Sequence, residues 1–466
     1  MPSASIVDDH KIRELTIPAE EADRPQSALV LAIVVVLTGI TAGLSGTLLG
    51  LLLRFVQHLA YGYSLDAIVS PESFLQGVTA APPLRRLAAL TACGAVAGIG
   101  WWAVYRFGQP LVSIKTAVGR SVPGPRMPLL PTIAHALLQI VTVGLGSPLG
   151  RELAPRELAA VLATRLASRA GLAAEERRIL IACAAGSGLA AIYNVPLGGA
   201  IFILEVLLET LAPRAVVPAI VTSVIATTIA WIGLGNAPQF LVPDLEVSRS
   251  LIVWSVVVGP VFGVAAYGFR AVTRAATAHM PQAWHRVPWG LAVFFGIGLL
   301  AMLFPQLPGN GKGPSQLGFD GELSAQLALS LLALKVLAIT ASLRAGAAGG
   351  LLTPSLTFGA LLATVLGSLW NLVFPSVPTA AVAIVGAAAF LASSMNMPLT
   401  AIVLVIEFTQ VGHDLWVPIF FAVAASVGSL HACARLEAQR SVEAPIMSSA
   451  AFEPGPTGVP PLPRQS

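Results

Sequence analysis

The chain has 466 residues, of which 55% are hydrophobic and 11% are charged, and its formal net charge is +4. A soluble protein carries about a quarter charged residues, so this composition excludes an ordinary soluble domain. Nothing in so small a net charge indicates a nucleic-acid partner. The three cysteines lie far apart, without metal-ligand or redox spacing, so we predict no metal and no cofactor.

The first 26 residues are mixed in charge and lack the compact apolar core of a signal peptide, so we interpret 1–26 as a cytosolic lead. Long apolar runs follow, and several approach the roughly 20 residues needed to cross a bilayer. They predict an all-α polytopic membrane protein, and the runs almost free of charge are 28–53, 87–104, 216–240, 251–269, 327–343 and 372–405.

Arginines between these runs mark cytosolic loops, because short cytosolic loops carry an excess of positive charge. On that rule we assign six arginines to the cytosolic side: Arg85, Arg86, Arg165, Arg169, Arg177 and Arg178.

The first break in the apolar pattern lies at 107–113 and contains Gly108 and Gln109. The side-chain amide of Gln109 can offer an N–H to an anion. An interfacial turn explains this segment equally well.

The second break, at 146–152, places Arg151 and Glu152 where a glycine-rich loop opens a helix. A helix start exposes unpaired N–H groups and the positive end of the helix dipole, so it attracts anions. A carboxylate at that point can occupy the anion position and leave when it is protonated. A first-turn glutamate that only stabilises its own helix is the alternative. Ionisable groups within a membrane are functional by default, so we interpret Glu152 as a candidate gate.

The third break, at 346–354, carries no acidic residue and resembles the second in its glycines. Gly350 exposes the backbone N–H groups of Leu351 and Leu352, and Pro354 fits an early helical position. A glycine hinge between packed helices is the structural alternative. A glycine-broken element in each half of a membrane protein is typical of a transport site built from interrupted helices.

Two further segments nearly repeat each other: Asn-Val-Pro-Leu at 194–197 and Asn-Met-Pro-Leu at 396–399. Each is followed by a glutamate nine residues after the proline, Glu205 and Glu407. A role in fixing helix packing and a role in transport remain equally open for both glutamates.

These repeats divide the chain into two halves. We predict a first transmembrane repeat at 27–236, a connecting loop at 237–249 and a second repeat at 250–435. Residues 436–466 are polar and rich in proline, which predicts a disordered tail.

Four segments together resemble the CLC family of chloride channels and transporters. The family's G-R-E-G-P is similar to residues 150–155, where the proline comes one place late, and its G-x-F-x-P is similar to 350–354. Its A-x-x-N-x-P-L-x-G-x-x-F-x-x-E pattern matches 191–205, and S-x-x-x-P-L-T-x-x-x-L-x-x-E matches 394–407. The resemblance covers roughly residues 28–436.

The resemblance implies a homodimer in which each subunit is an inverted repeat of tilted and broken helices with its own anion pathway. Its ligand would be chloride or another small anion, and its surroundings a lipid bilayer. By position, Glu152 would be the gate, and the anion-binding residues would be Gly108, Gln109, Arg151, Glu152, Leu153, Gly350, Leu351 and Leu352.

The chain departs from the family at several of these positions. Gln109 stands for the family's anion-binding serine, and Leu352 stands for its aromatic residue at the central site. The family's late, pore-facing tyrosine has no counterpart, since the last tyrosine is Tyr267. We therefore expect a looser inner constriction.

Proton-coupled members of the family carry an internal glutamate where this chain has Val206. Valine cannot carry a proton, so we predict a passive or weakly coupled anion pathway. Glu205 and Glu209 are candidates for a substitute proton route. The alternatives are exchange of protons for chloride or fluoride and, in a different class, a membrane scaffold without transport.

The sequence shows no nucleophile–base set, so we predict that the protein is not an enzyme. We expect a multi-pass protein of the plasma membrane, of the bacterial inner-membrane type.

Overall fold

The computed structural model describes residues 27–63, 72–119, 126–245 and 247–449. The elements in these ranges are helices. The predicted cytosolic lead at 1–26 lies outside the described residues. The first half of the chain holds α1 (Ala28–Tyr61), α2 (Phe74–Ala80), α3 (Pro83–Phe107), α4 (Ile114–Ala117), α5 (Leu129–Gly144), α6 (Leu153–Arg169), α7 (Ala174–Tyr193), α8 (Pro196–Phe202, continued by a π-helical turn at Ile203–Leu208) and α9 (Pro213–Leu234). The second half holds α10 (Arg249–Ala278), α11 (Arg286–Leu303), α12 (Lys312–Phe319), α13 (Ala325–Arg344), α14 (Leu352–Trp370), α15 (Thr379–Met395), α16 (Pro398–Thr409) and α17 (Trp416–Ser449).

Eight helices in the described ranges are long and apolar enough to cross a membrane. They confirm the predicted polytopic all-α architecture, and they are α1, α3, α9, α10, α11 with its preceding turn, α13, α14 and α17.

The two halves repeat the same local design around α7 and α15. Both helices end at an asparagine in the left-handed conformation, Asn194 at φ 58° and Asn396 at φ 54°. Asparagine tolerates this conformation better than most residues. A proline then starts the next helix, where its missing N–H costs nothing. Alpha-8 and α16 pack against each other, so the near-repeat in sequence becomes a pair of contacting short helices.

The last helix is longer than the sequence predicts. Alpha-17 runs to Ser449, so residues 436–449 of the predicted tail are helical. Leu436, Glu437 and Ala438 are strong helix formers, and their propensity outweighs the polarity on which the prediction of disorder rested. Residues 450–466 lie outside the described part. Between the halves, α9 ends at Leu234 and α10 begins at Arg249, close to the bounds of the predicted connecting loop at 237–249.

The six arginines assigned to cytosolic loops lie at two opposite ends of α1. The end of α6 and the start of α7 pack against Val34 and Val35 near the start of α1, whereas Arg85 donates to the carbonyls of Leu59 and Ala60 at its far end. Arg85 and Arg86 therefore lie on one side of the membrane and the other four arginines on the opposite side. The prediction of a cytosolic loop is wrong for Arg85 and Arg86. Both side chains donate to backbone carbonyl groups at helix ends. Arg86 donates to the carbonyls of Ala81 and Ala301.

The remaining four arginines set the orientation. Because the loop joining α6 to α7 is the more basic end, we assign it to the cytosol. Alpha-6 then runs from the membrane interior toward the cytosol, and Asn194 at the end of α7 faces the outside. We call these the inner and outer sides.

Candidate functional site

The second and third glycine-rich breaks meet in the middle of the fold. Gly150 N donates to Gly350 O at 2.7 Å, and Gly350 N donates to Gly150 O at 2.9 Å, which makes an isolated antiparallel bridge. A Cβ atom on either glycine would overlap the side chain of Glu152. Only glycine therefore allows the two breaks to approach each other with that carboxylate between them.

Glu152 is buried, with 1% of its surface exposed. It directly precedes α6 but makes no side-chain hydrogen bond to that helix. Its Oε1 accepts from the backbone N–H of Leu352, the first residue of α14, at 2.7 Å. The carboxylate therefore lies at the positive end of a different helix, as a bound anion would.

Tyr193 provides the second contact of this carboxylate. Its hydroxyl donates to Glu152 Oε2 at 2.9 Å and lies 2.6 Å from Thr353 Oγ1. The ring packs edge-on against Phe408, which holds the hydroxyl in place. The sequence analysis missed Tyr193, although a phenol directly before the Asn-Val-Pro break was a usable signal.

Arg151 points to the outer side of Glu152. Its guanidinium lies 5.0 Å from the centre of the Tyr193 ring, and Nη2 donates to Gln239 Oε1 at 3.0 Å. A pocket opens at this point, lined by Arg151, Tyr193, Gln239, Phe240, Asn310, Lys312, Thr353, Leu356 and Phe408.

The other predicted anion-binding residues divide into two groups. Leu153 begins α6, and Leu351 and Leu352 begin α14, so these three lie at the helix starts. Gly350 also lies there, but its N–H is already engaged by Gly150.

Gly108 and Gln109 form the second group and lie in an exposed loop after α3. Among the described residues, the partners of the Glu152 carboxylate are Leu352 and Tyr193. The structure therefore does not bring Gln109 to the Glu152 carboxylate, and its predicted role in anion binding stays a prediction.

Glu205 and Glu407 cap each other's helices across the two halves. Glu205 accepts from the backbone N–H of Leu399 at 3.0 Å and of Thr400 at 2.7 Å. Glu407 accepts from the N–H of Leu197 at 3.0 Å and of Gly198 at 2.6 Å. Each carboxylate thus satisfies unpaired donors at the start of the opposite short helix, which supports the packing role that the sequence left open.

Val206 and Glu209 lie at the inner end of the π-helical turn. The carbonyl of Leu208, in the same turn, accepts from Arg178 on the basic inner side. Val206 is half-buried, whereas Glu209 is exposed in a left-handed conformation at φ 52°.

A pair of ionisable side chains, His135 and Glu157, lies on the inner side of Glu152. His135 of α5 lies 2.7 Å from Glu157 of α6, and Gln139 Nε2 donates to the same carboxylate at 2.8 Å. The His135 and Glu157 side chains are only 7% and 13% exposed. The sequence analysis did not single out His135, although His135 and Gln139 are spaced i, i+4 and so share one helix face.

The donors around Glu152 are amide N–H and hydroxyl groups, which suit an anion rather than a metal. In the described ranges, no group of three His, Cys, Asp or Glu side chains is placed to hold a metal ion.

A family model described as voltage gated chloride channel matches residues 93–430. The voltage-gated ClC-type chloride channel ClcB of Citrobacter koseri is 29% identical over 345 residues, covering 72% of this chain and 82% of that protein. The H(+)/Cl(-) exchange transporter ClcA of Salmonella arizonae is 28% identical over 404 residues, covering 83% and 82%.

Among solved structures, a slow cyanobacterial Cl-/H+ antiporter superposes with a TM-score of 0.75 at 20% identity, covering 87% of this chain and 95% of that one. This similarity shows a shared fold. The eight apolar helices and the bacterial relatives make the chain a multi-pass protein of the inner-membrane type. The match of the family model over most of the chain shows that this protein belongs to the voltage-gated chloride channel (CLC) family.

Proposed function

We propose that the protein moves chloride, or an anion of similar size, through a pathway that Glu152 gates. The observation that carries the proposal is the 2.7 Å hydrogen bond from Leu352 N–H to Glu152 Oε1. The carboxylate takes the place at the start of α14 where a permeating anion would bind. Protonation removes its charge and with it the attraction of the helix terminus, so the neutral side chain leaves and an anion enters.

Passive permeation is the first candidate form of this function. Val206 offers no proton carrier at the inner end of the short helix. Relatives such as the ClcB protein are named as channels.

Proton-coupled exchange is the second candidate, and two observations favour it. The ClcA relative is named as an H(+)/Cl(-) exchange transporter. The buried His135–Glu157 pair also places protonatable groups on the inner side of Glu152, where Val206 has none.

A flux assay on purified protein in liposomes tests the gate and the coupling together. Anion and proton movement are recorded at once, with chloride and fluoride compared, for wild type, Glu152→Gln and Glu152→Ala. We expect wild-type anion flux to rise as external pH falls, and both variants to conduct rapidly at every pH. Glu322→Gln, which alters an exposed glutamate in the loop after α12, serves as the matched control.

The result also separates the two candidates. Uphill proton movement driven by a chloride gradient would select exchange, and its absence would select passive flux. Anion flux that is the same in wild type and in both Glu152 variants at all pH values would overturn the gate.

We further propose that the protein works as a homodimer in the bilayer. Pro196–Leu208 and Pro398–Thr409 are apolar helices too short to span a membrane, at roughly 20 Å or less against a hydrocarbon core of about 30 Å. Leu197 and Leu399 at their starts are 53% and 55% exposed. A second copy on this face would cover helix ends that lipid matches poorly.

A further inference from the structure

Arg156 places a positive charge between the Glu152 carboxylate and the inner side of the membrane. It lies four residues after Glu152 on α6, which runs from the membrane interior toward the cytosol. Its guanidinium lies 4.5 Å from the centre of the Phe202 ring. Phe202 is the last residue of α8 before the π-helical turn that carries Val206. Arg156 and Phe202 therefore lie between the inner end of this short helix and the gate.

The charge of Arg156 has no paired carboxylate within the described ranges. None of the salt bridges there includes Arg156, and its buried Nε has no hydrogen-bond partner. The next residue, Glu157, is instead bonded to His135 and Gln139 of α5. A guanidinium stays protonated in proteins, so Arg156 is a fixed cation. Such a charge inside a membrane protein is costly and typically marks a functional site.

Few other ionisable groups face this cation. Glu152 and Glu157 of its own helix lie within electrostatic range, but both carboxylates are hydrogen-bonded elsewhere. Glu205 of the π-helical turn caps α16, and α7 packs its uncharged Gly188 against the start of α6. Protonation of Glu152 removes one of the two negative charges in range. The positive charge of Arg156 is therefore least compensated at the moment when the gate is neutral.

We propose that Arg156 is an electrostatic barrier to protons on the inner side of the gate, so that Glu152 is protonated from the outer side alone. A fixed cation repels an excess proton in its surroundings, and an arginine that faces a pore can exclude protons in this way. The same charge attracts a permeating anion. The proposal rests on the proposed function, because it takes Glu152 as the gate, and it adds to Val206 a second reason for passive flux.

Anion flux in oriented membrane vesicles, with the pH set separately on each side, tests the barrier. We expect wild-type flux to rise with external acid and to ignore internal acid. Arg156→Gln removes the charge, so internal acid should then raise the flux by about tenfold or more. Arg156→Lys keeps the charge and should behave as wild type. Arg165→Gln, which alters an exposed arginine of the same helix, is the matched control and should change nothing.

A double variant tests the barrier through proton movement itself. Val206→Glu supplies the carboxylate that the inner turn lacks. Alone it should give no uphill proton movement, because the charge of Arg156 remains. Together with Arg156→Gln, a chloride gradient should drive protons uphill. Equal proton movement in Val206→Glu and in the double variant would overturn the inference.

Arg156→Met keeps a long, unbranched side chain on the Phe202 ring and replaces Arg156→Gln in both assays if that variant is unstable. A purely structural arginine would lower the melting temperature on substitution without giving internal pH any effect, and that result would overturn the barrier.

The same measurements separate this inference from the proposed function. Wild-type flux that rises equally with acid on either side would overturn the barrier and leave the gate intact. Wild-type flux that ignores pH on both sides would overturn the gate, and the proton movement of the Val206→Glu variants would then decide the barrier alone.

Discussion

At the scale of single residues, Tyr193 is a second part of the proposed gate, beside the carboxylate of Glu152. Among the described residues, its hydroxyl is one of two donors to Glu152, at 2.9 Å. A hydrogen bond to a charged group contributes about 1.5–3 kcal/mol, so Tyr193→Phe should raise the open fraction, and the anion flux at neutral pH, by about tenfold or more. The flux should still respond to pH because Glu152 remains. Liposome flux checks this.

The control for this prediction is Tyr105→Phe, on the exposed part of α3, which should leave the flux unchanged. Equal flux in Tyr193→Phe and wild type would show that the hydroxyl does not hold the gate.

Glu152 could be identified from sequence as a candidate functional residue, because an ionisable residue inside an apolar run is costly and typically marks a functional site. Tyr193 was not, because its contact with Glu152 joins residues 41 positions apart and with Thr353 residues 160 positions apart. Lys312, which lines the outer pocket together with Arg151, was missed for the same reason, because no local pattern brings these two residues together.

At the scale of elements, the two glycine-rich breaks act as one unit. A Cβ on Gly350 would overlap the carboxylate of Glu152, and Gly350 does not need a left-handed conformation. Gly350→Ala should therefore expel the gate side chain and give pH-independent flux, with a lowered melting temperature. In a Glu152→Ala background the overlapping atoms are gone, so the same change should be nearly neutral.

This double-mutant cycle is completed by measuring the melting temperature and the anion flux of both single variants and of the double variant. Additive losses of stability would contradict the arrangement, since residues in contact should couple. The breaks themselves were predictable from glycine spacing, but their pairing across 200 residues was not.

The glutamate caps lead to a different expectation for Glu205 and Glu407. Either glutamate changed to alanine leaves two helix-start N–H groups without partners, at a cost of about 1.5–3 kcal/mol for each hydrogen bond. We expect both variants to melt earlier in detergent, and Glu205→Ala by more, because Glu205 also accepts from the Thr400 hydroxyl. Their remaining flux should keep its pH response.

Exposed Glu209→Gln is the control for these variants, since its carboxylate caps no helix in the described structure. A Glu205→Ala protein that melts normally but loses proton movement would instead make Glu205 a transport residue. The sequence showed that the two glutamates are equivalent, and only the three-dimensional contacts favour packing over transport.

At the scale of the whole molecule, the apolar runs were enough to predict a polytopic all-α membrane protein, whereas its CLC-type arrangement was predicted from the resemblance of four segments to that family. The apolar runs form helices because a helix satisfies its own backbone hydrogen bonds, as the lipid interior requires. The orientation was predicted less well, because Arg85 and Arg86 bind helix-end carbonyls rather than mark a cytosolic loop. The end of α17 was missed because helix propensity in 436–449 outweighed polarity.

The proposed dimer is also a property of the whole molecule. Leu399→Gln places an amide on the face of the short helices and should shift the detergent-solubilised protein toward monomer, as measured by light scattering. Leu372→Gln, at a site 79% exposed in the loop after α14, should leave the mass unchanged. A wild-type mass of one subunit would contradict the dimer.

The central claim is that Glu152 and the transported anion compete for one place at the start of α14. The most direct measurement is the anomalous signal of bromide in crystals of Glu152→Ala and of wild type. We predict a bromide peak within hydrogen-bonding distance of Leu352 N–H in the variant and none at that point in wild type. A variant in which that N–H meets no bromide, while the bridge between Gly150 and Gly350 is intact, would contradict the account.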